Sequence, residues 1–324
     1  MLAALARRAA TALAVVAGVV TLTFFLLRLA PGDPVELLLG PTATPAQLAA
    51  QRHALALDRP LVVQYAAWLG RFARGEWGAS IATGRPVRAL LGEAVPATLE
   101  LVGLSLMLSY LFGVAVGAVQ ATARPRVDTA LSVATVTLFA VPGYWLGLML
   151  VMVFTYWARV LPAFGRAGLD GDLLADGPWL VDRLRHLALP LATLTLIGVG
   201  GIARFVRGAM FDVLGQPFIR TAHAKGVSPR QVTRRHVVRN ALIPIVILFG
   251  LSFPALFSGA VLVEYVFAWP GVGRRLVEAV LARDYPVVMA ATTVSAVLVV
   301  VGNLLADVLV AWIDPRIRHA SSPT

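Results

Sequence analysis

Apolar residues gather along this chain in six long stretches, approximately 9–30, 97–119, 129–157, 187–207, 241–263 and 286–312. Each is long enough to cross, as a helix, a hydrocarbon core about 30 Å thick. The pattern predicts an all-α polytopic membrane protein with six transmembrane helices. Residues 31–96, between the first two stretches, are mixed in polarity and carry Trp68 and Trp77; they predict a small extracytoplasmic insertion. The expected organisation is an N-terminus and first helix over 1–30, the insertion over 31–96, a five-helix core over 97–313 with a cytoplasmic loop at 208–240, and a cytoplasmic tail over 314–324.

Within the stretches, Gly113-x-x-x-Gly117 and Gly143-x-x-x-Gly147 have the spacing that lets helices approach closely. Pro142, Pro190, Pro244 and Pro254 sit in or at them and predict kinks or freed carbonyls. A moving bundle and ordinary helix packing both accommodate such breaks. Glu100 and Asp307 are nearly the only acids in the apolar cores. An ion-coupled carrier needs ionisable groups at membrane depth, so the bundle reads as passive.

Of the 324 residues, 58% are hydrophobic and 14% charged, with a mean hydropathy of +0.79; soluble domains carry about 25% charged residues. Net charge is +11, and all but Lys225 of the 28 basic residues are arginine. Such an excess can indicate nucleic acid. Here the arginines lie between apolar runs, as in cytoplasmic loops that meet membrane lipid, and no nucleic acid is expected. The absence of cysteine excludes disulfides and Cys-based metal sites. Arg7 and Arg8 precede an apolar run over 9–27 that exceeds a signal-peptide core and lacks a clear A-x-A site, which reads as a retained first span. Lys and Arg divide evenly between the two sides. The positive-inside rule discounts the long translocated segment, and the short loops with Arg7 and Arg8 place both termini in the cytoplasm.

The longest cytoplasmic segment, Arg204 to Arg239, reads as two short helices around a glycine. Pro217 suits a first helical turn, Phe218 to Lys225 continues it, and Gly226 is a natural left-handed C-cap. Ser228-Pro229-Arg230-Gln231 has the capping-box pattern for a second helix to about Asn240, with Arg230/Arg234 and Arg235/Arg239 at i,i+4 spacing. Such a basic loop can rest on anionic lipid headgroups. Small Ala222 and Ala224 beside Phe218 and Ile219 suit close approach by another protein equally well.

The stretch FIRTAHAKGVSPRQVTRRHVVRNALIP (Phe218 to Pro244) resembles the EAA loop of ABC-importer permeases, in the form used by the dipeptide/oligopeptide/nickel group. Further similarities follow in the same order along most of the chain: LRLAPGDPVELLLG (Leu27 to Gly40), LDRPLVVQYAAWLG (Leu57 to Gly70), Pro96 to Leu101, VEYVFAWPGVGRRL (Val263 to Leu276), ARDYPVV (Ala282 to Val288) and Asp314-Pro315-Arg316. The Glu and first Ala of the EAA core are replaced around Thr221 and Ala222, whereas Ala224 and Gly226 remain. The resemblance implies a type I ABC importer permease fold in a bacterial cytoplasmic (inner) membrane. It implies a coupling role for Phe218, Ile219, Arg220, Thr221, Ala222, Ala224, Lys225 and Gly226. The implied partners are a second homologous permease, two ATP-binding subunits that hold the ATP and Mg, and an extracytoplasmic solute-binding protein. The implied cargo is a peptide, nickel, glutathione or an opine-like solute. Trp269, Pro270 and Gly271 are candidates for an outer gate; an interfacial tryptophan anchor is the alternative reading.

The residues themselves supply no chemistry. Lys225 follows Ala224, so no Walker A motif exists, and no HExxH occurs. The histidines are scattered, and His186 and His236 read as interfacial or loop residues. Asp170, Asp172 and Asp176 lie among glycines but lack EF-hand spacing. No cofactor or metal is expected in this chain, and no enzyme activity of its own. A secondary carrier or channel would call for an inverted repeat with broken helices or a ring of pore charges. An intramembrane hydrolase would need a base beside Ser105, Ser109 or Ser132. Neither pattern is evident.

Overall fold

The computed structural model describes residues 2–29, 34–40, 42–54, 57–168 and 176–313. The chain is helical: α1 (Leu2–Leu29), α2 (Pro34–Leu39), α3 (Pro45–Ala54), α4 (Leu61–Ala73), α5 (Val87–Thr122), α6 (Pro125–Ala140), α7 (Gly143–Val151, running into a π-helical turn Met152–Trp157), α8 (Asp176–Leu214), α9 (Pro217–Ala224), α10 (Pro229–Val232, followed by a π-helical turn Thr233–Val237), α11 (Val238–Val266), α12 (Val272–Leu281) and α13 (Tyr285–Ile313). It divides into two compact units, Met1–Thr98 with Pro270–Val300, and Leu99–Trp269 with Val301–Thr324.

Among the described residues, Ala10–Leu29, Val87–Thr122, Gly177–Leu214 and Tyr285–Leu305 are long and apolar enough to cross a membrane. The expected span over 129–157 is not continuous: α6 and the α7 segment meet at 102°. Val141 is driven into an extended conformation (φ −72°, ψ 130°) by the ring of Pro142, which also has no N–H to extend the ladder, so the helix stops and restarts. Other prolines do not break their helices. Pro96 lies inside α5, which begins at Val87 rather than near 97, and Pro190 lies inside α8. The stretch 241–263 falls within α11, where many side chains lie outside the described residues.

In the first unit, Val87, Leu90, Leu91 and Ala94 of α5 form a core with Val272 and Ala279 of α12 and with Val287, Val288, Ala290 and Ala291 of α13. Buried Asp284 ties the insertion to this core. Its Oδ2 accepts from the Ser80 hydroxyl at 2.5 Å and the Ala82 N–H at 3.2 Å, while Oδ1 lies 3.5 Å from the Val287 N–H at the start of α13. Asp284→Ala removes a charged acceptor and strands these donors. A loss of about 2–3 kcal/mol is expected, read as a lower denaturation midpoint and faster proteolysis in the Ser80–Arg85 turn.

In the second unit, glycines set the helix separations. An added Cβ at Gly117 of α5 would sit 2.6 Å from the Ala203 carbonyl oxygen of α8, and at Gly200 of α8 it would sit 2.7 Å from that of Thr135 in α6. These obstacles are backbone and cannot rotate away. Gly200→Leu is expected to force α6 and α8 apart at a cost of about 1–3 kcal/mol, measured as a lower melting temperature of the purified protein in detergent.

Candidate functional site

The loop after α8 folds by local rules. Gln216 is extended, Pro217 takes the first helical position with its preset φ, and α9 runs to Ala224. Gly226 has φ +76°. Its N–H donates to the His223 carbonyl at 2.9 Å and the Val227 N–H to the Ala222 carbonyl at 3.2 Å. That pair of bonds is a Schellman motif closed by a left-handed glycine. Val227 and Ala222, brought together by it, belong to the same apolar cluster.

The two faces of α9 differ. Ile219 and Ala222 are buried with Val206 and Met210 of α8, Val232 of α10, Val237 and Ala241. Ala222 thus serves the chain's own core, a correction to the exposed contact read from its small size. Three positions separate it from Ile219, so both lie on one side of the helix. Phe218, Arg220, Thr221, Ala224, Lys225 and Gly226 are exposed. Ser228 occupies the expected start of the next helix, but its hydroxyl makes no cap bond. The capping box is therefore absent, and Pro229, preset at the first helical position, starts the helix in its place. That helix does not end near Asn240; it passes through Thr233–Val237 directly into α11.

One feature of this end escaped sequence reading. Arg207 of α8 binds Asp128 of α6 in bidentate fashion, Nε to Oδ1 at 2.7 Å and Nη2 to Oδ2 at 2.6 Å, and its guanidinium lies 4.6 Å from the Phe211 ring centre. Two isolated charges far apart in sequence gave no local signal for this brace of α6 to α8.

At the far end of α11, Trp269 is fully buried and its backbone N–H donates to the Glu264 carbonyl at 2.8 Å. An interfacial anchor would show its ring to lipid headgroups, so that alternative fails. The Arg166 guanidinium lies 5.8 Å from the Trp269 ring centre. Arg166 and Arg183 both bind Glu100: Arg166 Nη2 to Oε2 at 2.6 Å, Arg183 Nε to Oε1 at 3.1 Å and Arg183 Nη2 to Oε2 at 2.7 Å. Glu264 is also fully buried. In the other unit, Pro270 is half-buried and Gly271 buried, and the Val272 N–H donates to Thr98 Oγ1 at 2.8 Å.

The residues weighed for chemistry are engaged structurally. Ser105 and Ser109 donate to the carbonyls of Val102 and Thr195, and His186 Nδ1 lies 2.8 Å from the Asp182 carbonyl. Among the described residues no group of three or more His, Asp or Glu could hold a metal. Asp170, Asp172 and the side chain of Asp176 lie outside them.

The short helix α9 is thus held to the apolar helices by one face and exposed on the other. The chain belongs to the family described as "Binding-protein-dependent transport system inner membrane component", whose model matches residues 109–319; the corresponding N-terminal model matches residues 1–102. It is 38% identical to the oligopeptide transport system permease protein AppB of Bacillus subtilis, covering 98% of this chain and 100% of that one. It is 39% identical to the di/tripeptide transport system permease protein DppB of Pseudomonas aeruginosa, covering 98% and 99%. In structure it resembles a chain of the inward-facing MetNI methionine ABC transporter, with a TM-score of 0.58 at 18% identity over 71% of this chain and 98% of that one. It is thus a multi-pass permease subunit of a binding-protein-dependent transport system, with the type I importer permease fold.

Proposed function

We propose that this permease imports peptides or a related small solute, forming half of the pathway with a second homologous permease. Two ATP-binding subunits drive it from the cytoplasm, where both termini lie, and an extracytoplasmic solute-binding protein delivers the cargo. The chain itself hydrolyses no ATP. The observation that carries this reading is the two-faced α9: Ile219 and Ala222 lock it to α8 and α11, while Phe218, 43% exposed, lies among exposed Arg220, Thr221, Ala224 and Lys225. A partner gripping that outer face moves α9, and the buried face passes the motion to α11. That helix of 29 residues is about 44 Å long, and Trp269, Pro270 and Gly271, the proposed outer gate, follow its end. The relatives named for oligopeptide and di/tripeptide transport support a peptide cargo.

The test is uptake of a radiolabelled dipeptide by vesicles holding the assembled transporter, with Phe218→Asp as the variant. Uptake that needs ATP and is lost in the variant is expected. ATP hydrolysis by the purified chain alone, or uptake unaffected by Phe218→Asp, overturns the reading.

A further inference from the structure

The insertion expected wholly outside the membrane contains a helix that is apolar nearly all round. From Leu61 to Gly70 the sequence is LVVQYAAWLG. Its polar side chains are used inward. Buried Gln64 donates through Nε2 to the carbonyls of Leu57 at 3.1 Å and Arg59 at 2.7 Å, and the Tyr65 hydroxyl lies 2.7 Å from Thr21 Oγ1. What remains outward is Val62, 70% exposed, with exposed Val63, Ala66, Ala67 and Leu69. Val62, Ala66 and Leu69 stand at i, i+4 and i+7, one stripe of the helix. A helix with no polar face has no side to offer water.

It packs against the first apolar helix. Tyr65 and Trp68 pack with Val16, Val20, Phe24, Phe25 and Leu27 of α1. All lie in the Ala10–Leu29 segment that is long and apolar enough to span. Phe24 meets Tyr65 edge-on at 5.2 Å between ring centres, and the aromatic run continues through Trp68, Phe72 and Trp77. Exposed Arg59 precedes the helix, and exposed Arg71 and Arg74 lie at its far end, where long cationic side chains reach phosphates from an apolar setting. Thirteen residues give about 20 Å, too short to cross.

We infer that α4 is seated in the bilayer beside the first span, with Val62, Val63, Ala66 and Leu69 in contact with lipid acyl chains. The inference rests on α1 as a span and is independent of what the protein transports. It makes the insertion a lipid-anchored collar, with the aromatic run fixing α4 to α1.

Because the chain has no cysteine, single labels can be placed directly. Val62→Cys, Ala66→Cys and Leu69→Cys each receive a nitroxide in the full chain, reconstituted into phosphatidylethanolamine/phosphatidylglycerol vesicles; exposed Glu76→Cys is the water-facing control. Collisions with dissolved oxygen, relative to those with a water-soluble nickel chelate, are expected to be about tenfold higher on the stripe than at 76, because charged solutes avoid hydrocarbon. Nickel access equal to the control would mean a water-facing helix and overturns the inference. Immobile labels shielded from both reagents would mean that protein covers the stripe, and overturn it too. Three positions on one stripe keep the test decisive if a single variant fails to insert.

Discussion

Replacing Gly226 by valine is expected to abolish most uptake while leaving the protein in the membrane. No heavy atom outside the immediate backbone lies within 4 Å of a Cβ built at this position, so the substitution meets no obstacle in space. The penalty is conformational: φ is +76°, a region that costs an L-residue about 1–2 kcal/mol, and β-branching makes it worse. Relief of that strain breaks the bonds from Gly226 to His223 and from Val227 to Ala222 that end α9. That relief moves α9 off its seat, and a penalty of this size lowers the ratio of seated to unseated α9 about 5–30-fold. The expected result is uptake down by up to that factor, with unchanged membrane content on immunoblotting. Gly226→Asn separates backbone strain from loss of a glycine as such, because asparagine tolerates the left-handed region; it should transport far better than the valine variant. Wild-type uptake by Gly226→Val would show that the position of α9 does not control transport.

The helical loop was legible because its signals are local. Pro217, Gly226 and Pro229 act through their own backbone torsions, and each stands where its conformational preference places it. The inward face of α9 was not legible. Periodicity puts Ile219 and Ala222 on one side but cannot say whether that side meets the chain's own core or a partner. The prolines show the same limit. Pro96, Pro142 and Pro190 look alike in an apolar run, yet only Pro142 ends its helix, and it is the one followed at once by a glycine. Glycine adds its own weak helix propensity to the missing hydrogen bond, whereas Pro96 is followed by Ala97 and Pro190 by Leu191. The apolar run of α4 was visible as residues, but its packing on α1 became clear only from the contacts of Tyr65 with Thr21 and Phe24.

Glu100→Gln is expected to destabilise the second unit strongly and to alter the pH dependence of transport little. An acid inside a span ordinarily suggests a proton relay. Here both carboxylate oxygens are occupied, by Arg166 at 2.6 Å and by Arg183 at 3.1 and 2.7 Å, partners 66 and 83 residues away in sequence. Glutamine preserves the shape and leaves two guanidinium charges facing a neutral group. Breaking a buried ion pair from one side costs about 3–5 kcal/mol. These side chains keep between 22% and 29% of their surface exposed, so about 2–3 kcal/mol is the sounder expectation. Adding Arg183→Gln to Glu100→Gln should recover part of that loss, because one stranded charge goes with it. Thermal unfolding of the single and double variants in detergent measures both steps. The consequence reaches Trp269, since Arg166 is held between Glu100 and the tryptophan ring at 5.8 Å; its release should raise quenching of the buried indole by acrylamide. A Glu100→Gln protein that melts with wild type would mean that the arginines are solvated well enough to need no counter-ion. A shifted pH profile at unchanged stability would return Glu100 to the role of a titrating site.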